Sequence, residues 1–216
     1  MITMENQQTD VLKRRGRPPT FNHEVALEKA MQTFWTFGYE GTSMAVLIEA
    51  MDMNKPSIYA AFGNKEALFN QALDKYVSGP SAFVKDAMAE PNSYQVAKTF
   101  LTKAVELLTQ NRNPRGCMIV QGALSCGPET EMIQKKLIAY RANLEEGFKK
   151  RFDLAKDNKD LPEDTNTTAL AKYLATIHQG ISVQASSGAS KDALMGIVDI
   201  AMQNWPVYTN KKVNFE

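Results

Sequence analysis

Residues 41–65, GTSMAVLIEAMDMNKPSIYAAFGNK, decide the fold class. The apolar residues of the first half recur at helical spacing and predict one amphipathic helix: Met44, Leu47, Ile48 and Met51. A tight turn at residues 52–53 follows. Asn54 is then a good N-cap, and Pro56 fits the first turn of a second, short helix. Two helices joined by so short a turn have the layout of a helix-turn-helix.

Helical patterns continue on both sides of this stretch. One helix is predicted from Asn22, as its N-cap, to Gly38, and another from Asn64 to Gly79. Further helices are expected at about residues 81–89, 94–111, 117–124, 129–155, 165–187 and 191–205. No apolar–polar alternation lasts long enough to predict a strand. The predicted fold class is therefore all-α.

The pattern divides the chain into three parts. Residues 1–20 are polar and basic without apolar periodicity, which predicts a flexible basic arm. Residues 21–66 form the predicted helix-turn-helix DNA-binding domain. Residues 67–216 form a larger C-terminal helical domain.

The composition is that of an ordinary soluble globular protein. The chain has 216 residues, of which 44% are apolar and 23% charged. No apolar run reaches the length of a membrane span, and the N-terminus lacks the apolar core of a secretory signal. Two cysteines make no disulfide framework. We therefore expect a cytoplasmic protein with no membrane partner.

The charge distribution puts the positive charge in the arm. The net charge is only +1, and residues 24–76 hold four lysines against seven acids. The arm contains KRRGRPPTF, residues 13–21, which by itself fits a nucleic-acid arm, a targeting signal or a solvated charge run. Its position directly before the helix-turn-helix favours an arm that enters or flanks the minor groove of DNA.

Side chains around the turn have the chemistry that DNA contacts need. A reading helix must present small or polar residues at its N-terminus, while Ile58 and Phe62 on the opposite face anchor it to the core. Hydroxyl groups and lysines nearby can contact phosphates. The predicted DNA-binding set is Arg14, Arg15, Arg17, Thr42, Ser43, Lys55, Pro56, Ser57, Tyr59, Ala60 and Lys65.

About fifty contiguous residues, 21–69, resemble the DNA-binding domain of TetR-family transcriptional repressors. The matching features are the Gly-aromatic-x-x-Thr-Ser turn at residues 38–43, the run NKPSIY after Met53, and FGNKEALF at residues 62–69. A Gly-Arg-Pro arm is also common in the family. Ala60 and Ala61 depart from the pattern, because many members carry larger polar or aromatic residues there, so base reading would depend more on residues 55–57.

The resemblance implies a homodimeric repressor that binds a double-stranded palindromic operator and is released by a small-molecule inducer. It assigns ligand binding, regulation and dimerisation to the C-terminal domain, residues 67–216. The apolar stripes of the last two helices suit a dimer interface. The predicted interface residues are Leu170, Leu174, Ile177, Ile181, Leu194, Ile197, Val198, Ala201 and Trp205. The candidate ligand-binding residues, each of which could equally be plain core, are Phe100, Cys117, Met118, Tyr140 and His178.

Several alternatives stay open. Cys117 follows Arg115 at a predicted helix start, where the helix dipole and the arginine would lower the thiol pKa. It is therefore either a buried small hydrophobe or a redox and electrophile sensor, as in the subset of members that RGCMIVQGAL resembles. A transcriptional activator of the same fold is another alternative. No catalytic motif, cofactor motif or metal-ligand spacing is present, so no enzyme, cofactor or metal is expected.

Overall fold

A computed structural model describes residues 22–122 and 130–207 of the chain. These described residues contain no strand. Their helices are α1 (His23–Gly41), α2 (Met44–Met51), α3 (Lys55–Phe62), α4 (Lys65–Ser78), α5 (Phe83–Met88), α6 (Ser93–Thr109), α7 (Met118–Gln121), α8 (Glu131–Asp157), α9 (Thr167–Ser186) and α10 (Lys191–Gln203). The all-α prediction is confirmed, and the predicted helices lie at nearly the predicted positions.

Polar side chains fix the starts of most helices. In each, the oxygen of the N-cap side chain accepts a hydrogen bond from the backbone N–H three residues later, which stabilises a helix by about 1 kcal/mol. The capping residues are Asn22, Ser43, Asn54, Asn64, Asn92, Asn166 and Ser190. The caps predicted at Asn22 and Asn54 are confirmed. Ser43 caps α2.

The first four helices share an aromatic core. Phe69 of α4 packs edge-on against Phe34 and Tyr39 of α1, with ring centroids 5.1 Å apart in both pairs. Ile58 and Phe62 are buried and attach α3 to this core, as predicted. Helix α4 packs along α1, and the predicted domain boundary at residue 66 lies near the start of α4.

The remaining helices build a body around α6. The rings of Phe100, Phe148, Phe152 and Trp205 touch in succession, with centroids 4.7 to 6.0 Å apart, and so connect α6 and α8 to the end of α10. Helix α9 packs on both α8 and α6. None of the helices in the described part of the chain is long and apolar enough to cross a membrane.

The stripes predicted as a dimer interface lie mostly inside the body. The fully buried members are Leu170, Leu174, Ile181, Leu194, Val198, Ala201 and Trp205. Ile177 is half-buried, and Ile197 is 38% exposed. The prediction is therefore wrong for the buried members, because they pack against helices of their own chain.

Candidate nucleic-acid interface and ligand cavity

Helix α3 presents its N-terminal half to solvent. The Asn54 side chain accepts a hydrogen bond from the Ser57 N–H at 2.9 Å and so fixes where the helix begins. The predicted base-reading residues are all exposed on the surface: Lys55, Pro56, Ser57 and Ala60. Beside the long side chain of Lys55, the outer face of α3 thus presents the small side chains of Pro56, Ser57 and Ala60, which allow close approach to a groove floor.

Tyr59 and Lys65 carry the predicted phosphate contacts on this surface. The Tyr59 side chain is 44% exposed, and the Lys55 ammonium lies 5.8 Å from the centre of its ring. The Lys65 ammonium sits 4.2 Å from the centre of the Tyr39 ring, and partial burial lowers the Lys65 pKa. Sequence reasoning missed Tyr39 as the residue that orients Lys65, because the pairing is a tertiary contact.

Thr42 and Ser43 have different surroundings. The Ser43 side chain is exposed and accepts a hydrogen bond from the Val46 N–H at 3.2 Å, so its own hydroxyl hydrogen stays available to a phosphate. The Thr42 side chain is buried, and its hydroxyl donates to the Gly38 carbonyl at 2.6 Å. The prediction that the Thr42 hydroxyl faces phosphate is corrected: this hydroxyl holds the end of α1. Arg14, Arg15 and Arg17 lie outside the described residues.

A cavity of about 330 Å³ lies in the body. Of the candidate ligand residues, Phe100, Cys117, Tyr140 and His178 line it. Met118 is buried in the core and is not among the lining residues. The rest of the wall is mainly apolar, and the polar lining residues that the sequence did not indicate are Ser81, Arg141, Asn143 and Gln179.

The surroundings of Cys117 differ from those predicted. Burial raises the pKa of the thiol, although a hydrogen bond from the Tyr76 hydroxyl, 3.4 Å from Sγ, and the charge of Arg141 oppose the shift. Arg115 turns away and donates to the carbonyls of Ala185 and Ala189. The predicted lowering of the Cys117 pKa by Arg115 is therefore wrong. Cys126 lies outside the described residues.

His178 is a neutral polar group in the cavity wall. Its ring lies 5.0 Å from that of Phe100, and burial lowers its pKa from 6.5 to about 4. At neutral pH the imidazole therefore offers one donor and one acceptor without charge. No group of three or more His, Cys, Asp or Glu in the described residues has a geometry that could hold a metal ion.

Comparison with known proteins shows which family this architecture belongs to. The family model for bacterial regulatory proteins of the tetR family matches residues 26–72. The HTH-type transcriptional repressor ComR of Escherichia coli strain K12 is 33% identical over 198 residues, which is 91% of this chain and 94% of ComR. This chain belongs to the TetR family.

Two further relatives are similar over nearly their whole length. The HTH-type transcriptional regulator YezE of Bacillus subtilis strain 168 is 29% identical, covering 87% of this chain and 97% of YezE. The solved structure of the TetR-family regulator CifR is 37% identical and superposes with a TM-score of 0.84, covering 88% of this chain and 100% of CifR. These matches cover both the helix-turn-helix unit and the helical body of this TetR-family chain.

Residues 116–122 connect the cavity of this TetR-family chain to its helix-turn-helix unit. Cys117, Ile119 and Val120 line the cavity. At one end of the segment the Gly116 carbonyl accepts a hydrogen bond from the Trp35 indole N–H at 2.6 Å. At the other end the Gly122 carbonyl accepts one from the Tyr39 N–H at 3.0 Å.

The second contact falls on a kink in α1. Gly38 has φ +70 and ψ 178, a conformation that interrupts the helix and frees the Tyr39 N–H from intrahelical bonding. A Cβ on Gly38 would lie 3.3 Å from the Gly122 carbonyl oxygen. The sequence predicted Gly38 as a helix stop but gave no sign that α7 docks against it.

The outward faces of α9 and α10 carry a second set of small and apolar residues. Ile200 is 63% exposed, and a Cβ on Gly180 or Gly196 would meet no atom within 4 Å. The exposed members are Ala169, Tyr173, Thr176, Gly180 and Val183 on α9, and Ala193, Gly196, Ile197 and Ile200 on α10. We refer to these residues as the outer α9–α10 face.

Proposed function

We propose that this protein is a homodimeric transcriptional repressor, that it binds a palindromic DNA operator, and that a small molecule in the cavity releases it. The observation that carries the proposal is the exposed outer face of α3, with Lys55, Pro56, Ser57 and Ala60, which buried Ile58 and Phe62 hold in place from the other side. The similarity to ComR, a repressor by name, supports it. So does CifR, which was solved on a 26-bp double-stranded operator.

The exposed residues divide into two kinds of DNA contact. Lys55, Pro56 and Ser57 lie where base edges would be read, and the methyl group of Ala60 suits contact with thymine. Ser43, Tyr59 and Lys65 surround this surface and would bind phosphates, which fixes the register without reading sequence. The arm with Arg14, Arg15 and Arg17 would supply much of the salt-dependent affinity, because the domain behind it is not basic.

Salt-dependent binding to specific and random duplexes tests this division. Lys65→Ala should weaken binding to every sequence alike and reduce the slope of log K against log salt by about one. Ser57→Ala should leave the slope unchanged and relax base preference at one position in each half-site. A Lys65→Ala variant with the wild-type slope would remove Lys65 from the phosphate contacts.

The dimer would form through the outer α9–α10 face. Small residues at Gly180, Gly196 and Ala193 let a partner helix approach closely, and Ile197 and Ile200 provide apolar area to bury. Two copies of α9 and α10 would then form a four-helix bundle. A two-fold dimer matches the symmetry of a palindrome, with reading helices spaced about 34–36 Å, or one turn of DNA.

Residues 116–122 offer a route for release. A ligand in the cavity contacts this segment, which is bonded to α1 through Tyr39 and Trp35 and to α4 through the Tyr76–Cys117 hydrogen bond. A ligand that prefers a shifted position of this segment would change the spacing of the two reading helices and weaken operator binding by that preference. The connection between the cavity and the reading helix therefore includes α1 as well as α4.

A second candidate is a repressor that senses electrophiles through Cys117. The observation that favours it is that Cys117 lines the cavity, where a small reactive molecule would reach the sulfur. Because burial raises the thiol pKa, only a small fraction of Cys117 is thiolate at neutral pH, and its reaction with an electrophile would be slow. If Cys117→Ser keeps full operator release by N-ethylmaleimide, this candidate is refuted.

A further inference from the structure

The cavity has one charged side chain among its described lining residues, Arg141. The other described polar groups are neutral, including His178 with its lowered pKa. Lining side chains with hydrocarbon or aromatic surface make up most of the wall: Val77, Phe83, Val84, Met88, Phe100 and Leu144. Arg141 is half-buried, so its charge beside this mainly apolar wall loses part of its hydration, a cost that an accompanying anion offsets.

The Arg141 guanidinium retains N–H donors that can bind a ligand. Its Nη1 donates to the Ile119 carbonyl at 2.7 Å, and no Asp or Glu in the described residues forms an ion pair with it. Burial lowers the pKa of its guanidinium, yet arginine stays protonated in proteins. A guanidinium has five N–H donors in a planar fork, a shape that matches the two oxygens of a carboxylate.

We propose that the cavity binds small amphipathic monocarboxylates, with Arg141 as the counter-ion. The hydrocarbon or aromatic part of the ligand lies against Phe83 and Phe100, and Asn143 and Gln179 offer neutral hydrogen bonds beside the charge. This inference rests on the proposed function only in taking the cavity as the effector site. It adds the chemical class of the effector and the residue that selects it.

The position of Arg141 also connects the ligand to the DNA-binding unit. The carbonyl that Arg141 now holds belongs to Ile119 in α7, three residues before the Gly122 carbonyl that accepts from Tyr39. A carboxylate that accepts hydrogen bonds from both Nη groups of Arg141 competes with the Ile119 carbonyl for Nη1. Anion binding in this geometry loosens the segment that docks against the kink of α1.

The test compares acids with their neutral amides on three proteins. The probes are octanoate with octanamide, and 3-phenylpropanoate with 3-phenylpropanamide, titrated by calorimetry. The proteins are the wild type, Arg141→Gln and the matched control Arg151→Gln. Arg151 lies on the same helix and also donates to a backbone carbonyl, that of Glu90 at 2.8 Å, but does not line the cavity. Release of a fluorescent operator duplex is measured in parallel.

We expect each acid to bind the wild type and Arg151→Gln at least about tenfold more tightly than its amide, since a charged hydrogen-bond partner is lost in the amide. In Arg141→Gln, whose fold is checked by circular dichroism, this preference should disappear while the amides bind as before. Equal binding of acid and amide to the wild type, an unchanged preference in Arg141→Gln, or no binding by any acid overturns the inference.

The parallel operator measurement separates this inference from the proposed function. If acids bind with the Arg141-dependent preference but leave the operator bound, the ligand class stands and ligand-controlled release falls. If only neutral compounds bind and they release the operator, ligand-controlled release stands and the carboxylate inference falls.

Discussion

Replacing Gly38 with alanine tests the junction between the body and the helix-turn-helix unit. At φ +70 and ψ 178 this residue occupies a region that is essentially restricted to glycine, and an L-residue there costs about 1–3 kcal/mol. The new methyl group would also lie 3.3 Å from the Gly122 carbonyl oxygen. Moving that oxygen away weakens its hydrogen bond from the Tyr39 N–H, which spans 3.0 Å.

We expect Gly38→Ala to lower the free energy of unfolding in urea by about 1–3 kcal/mol. Hydrogen exchange at the Tyr39 amide should accelerate as its hydrogen bond weakens. The control is Gly188→Ala, because Gly188 also has a positive φ, +95, but a Cβ there would meet nothing within 4 Å. It should lose stability while leaving Tyr39 exchange unchanged. A Gly38→Ala protein with wild-type stability and Tyr39 protection would refute the docking of α7 on the kink.

Three other substitutions follow from the structure. Thr42→Val should lower the free energy of unfolding in urea by about 1–3 kcal/mol, because it leaves the Gly38 carbonyl without its hydroxyl donor. The salt dependence of DNA binding should stay unchanged. A reduced salt slope would show that Thr42 contacts phosphate after all. Since the His178 pKa falls from 6.5 to about 4 on folding, the unfolded state takes up the proton first, and stability should drop by up to about 3 kcal/mol between pH 6.5 and pH 4. His178→Gln should flatten this decline, and an unchanged decline contradicts the assignment. Ile200→Asp should give folded monomers in analytical ultracentrifugation, since Ile200 is 63% exposed; a stable dimer would rule out the outer α9–α10 face.

The helix-turn-helix could be predicted from sequence because its signals are local. An N-cap such as Asn54 and the residue that it caps lie three positions apart, and the apolar spacing of Ile58 and Phe62 already gives the buried face of α3. The boundaries of α2 and α3 therefore follow from neighbouring residues alone. The proposed DNA-facing surface then consists of the α3 residues that do not face the core.

The proposed dimer face could not be predicted in the same way. Leu174 and Val198 belong to strong apolar stripes, but these stripes face their own chain. The outward faces of α9 and α10 contain small residues such as Gly180 and Gly196, which an apolar periodicity does not detect. Only the packing of α9 on α6 and α8 shows which of the two faces is left uncovered.

The chemistry of the cavity depended on contacts distant in sequence. A helix start beside Arg115 predicted a lowered Cys117 pKa, whereas in the fold Arg115 bonds to the carbonyl of Ala185. Nothing in the sequence next to Arg141 indicated that its guanidinium reaches the Ile119 carbonyl, 22 residues away along the chain. Burial and long-range partners decided both cases.

Selection of bound duplexes from a random DNA pool tests operator recognition most directly. We predict that the wild-type protein enriches an inverted repeat whose half-site centres lie about 10 bp apart or a multiple of that, because two α3 helices in a symmetric dimer face successive major grooves. Ser57→Ala should enrich the same repeat with one relaxed position per half-site. Enrichment of no sequence, or of a single half-site without two-fold symmetry, would contradict a dimeric, operator-specific repressor.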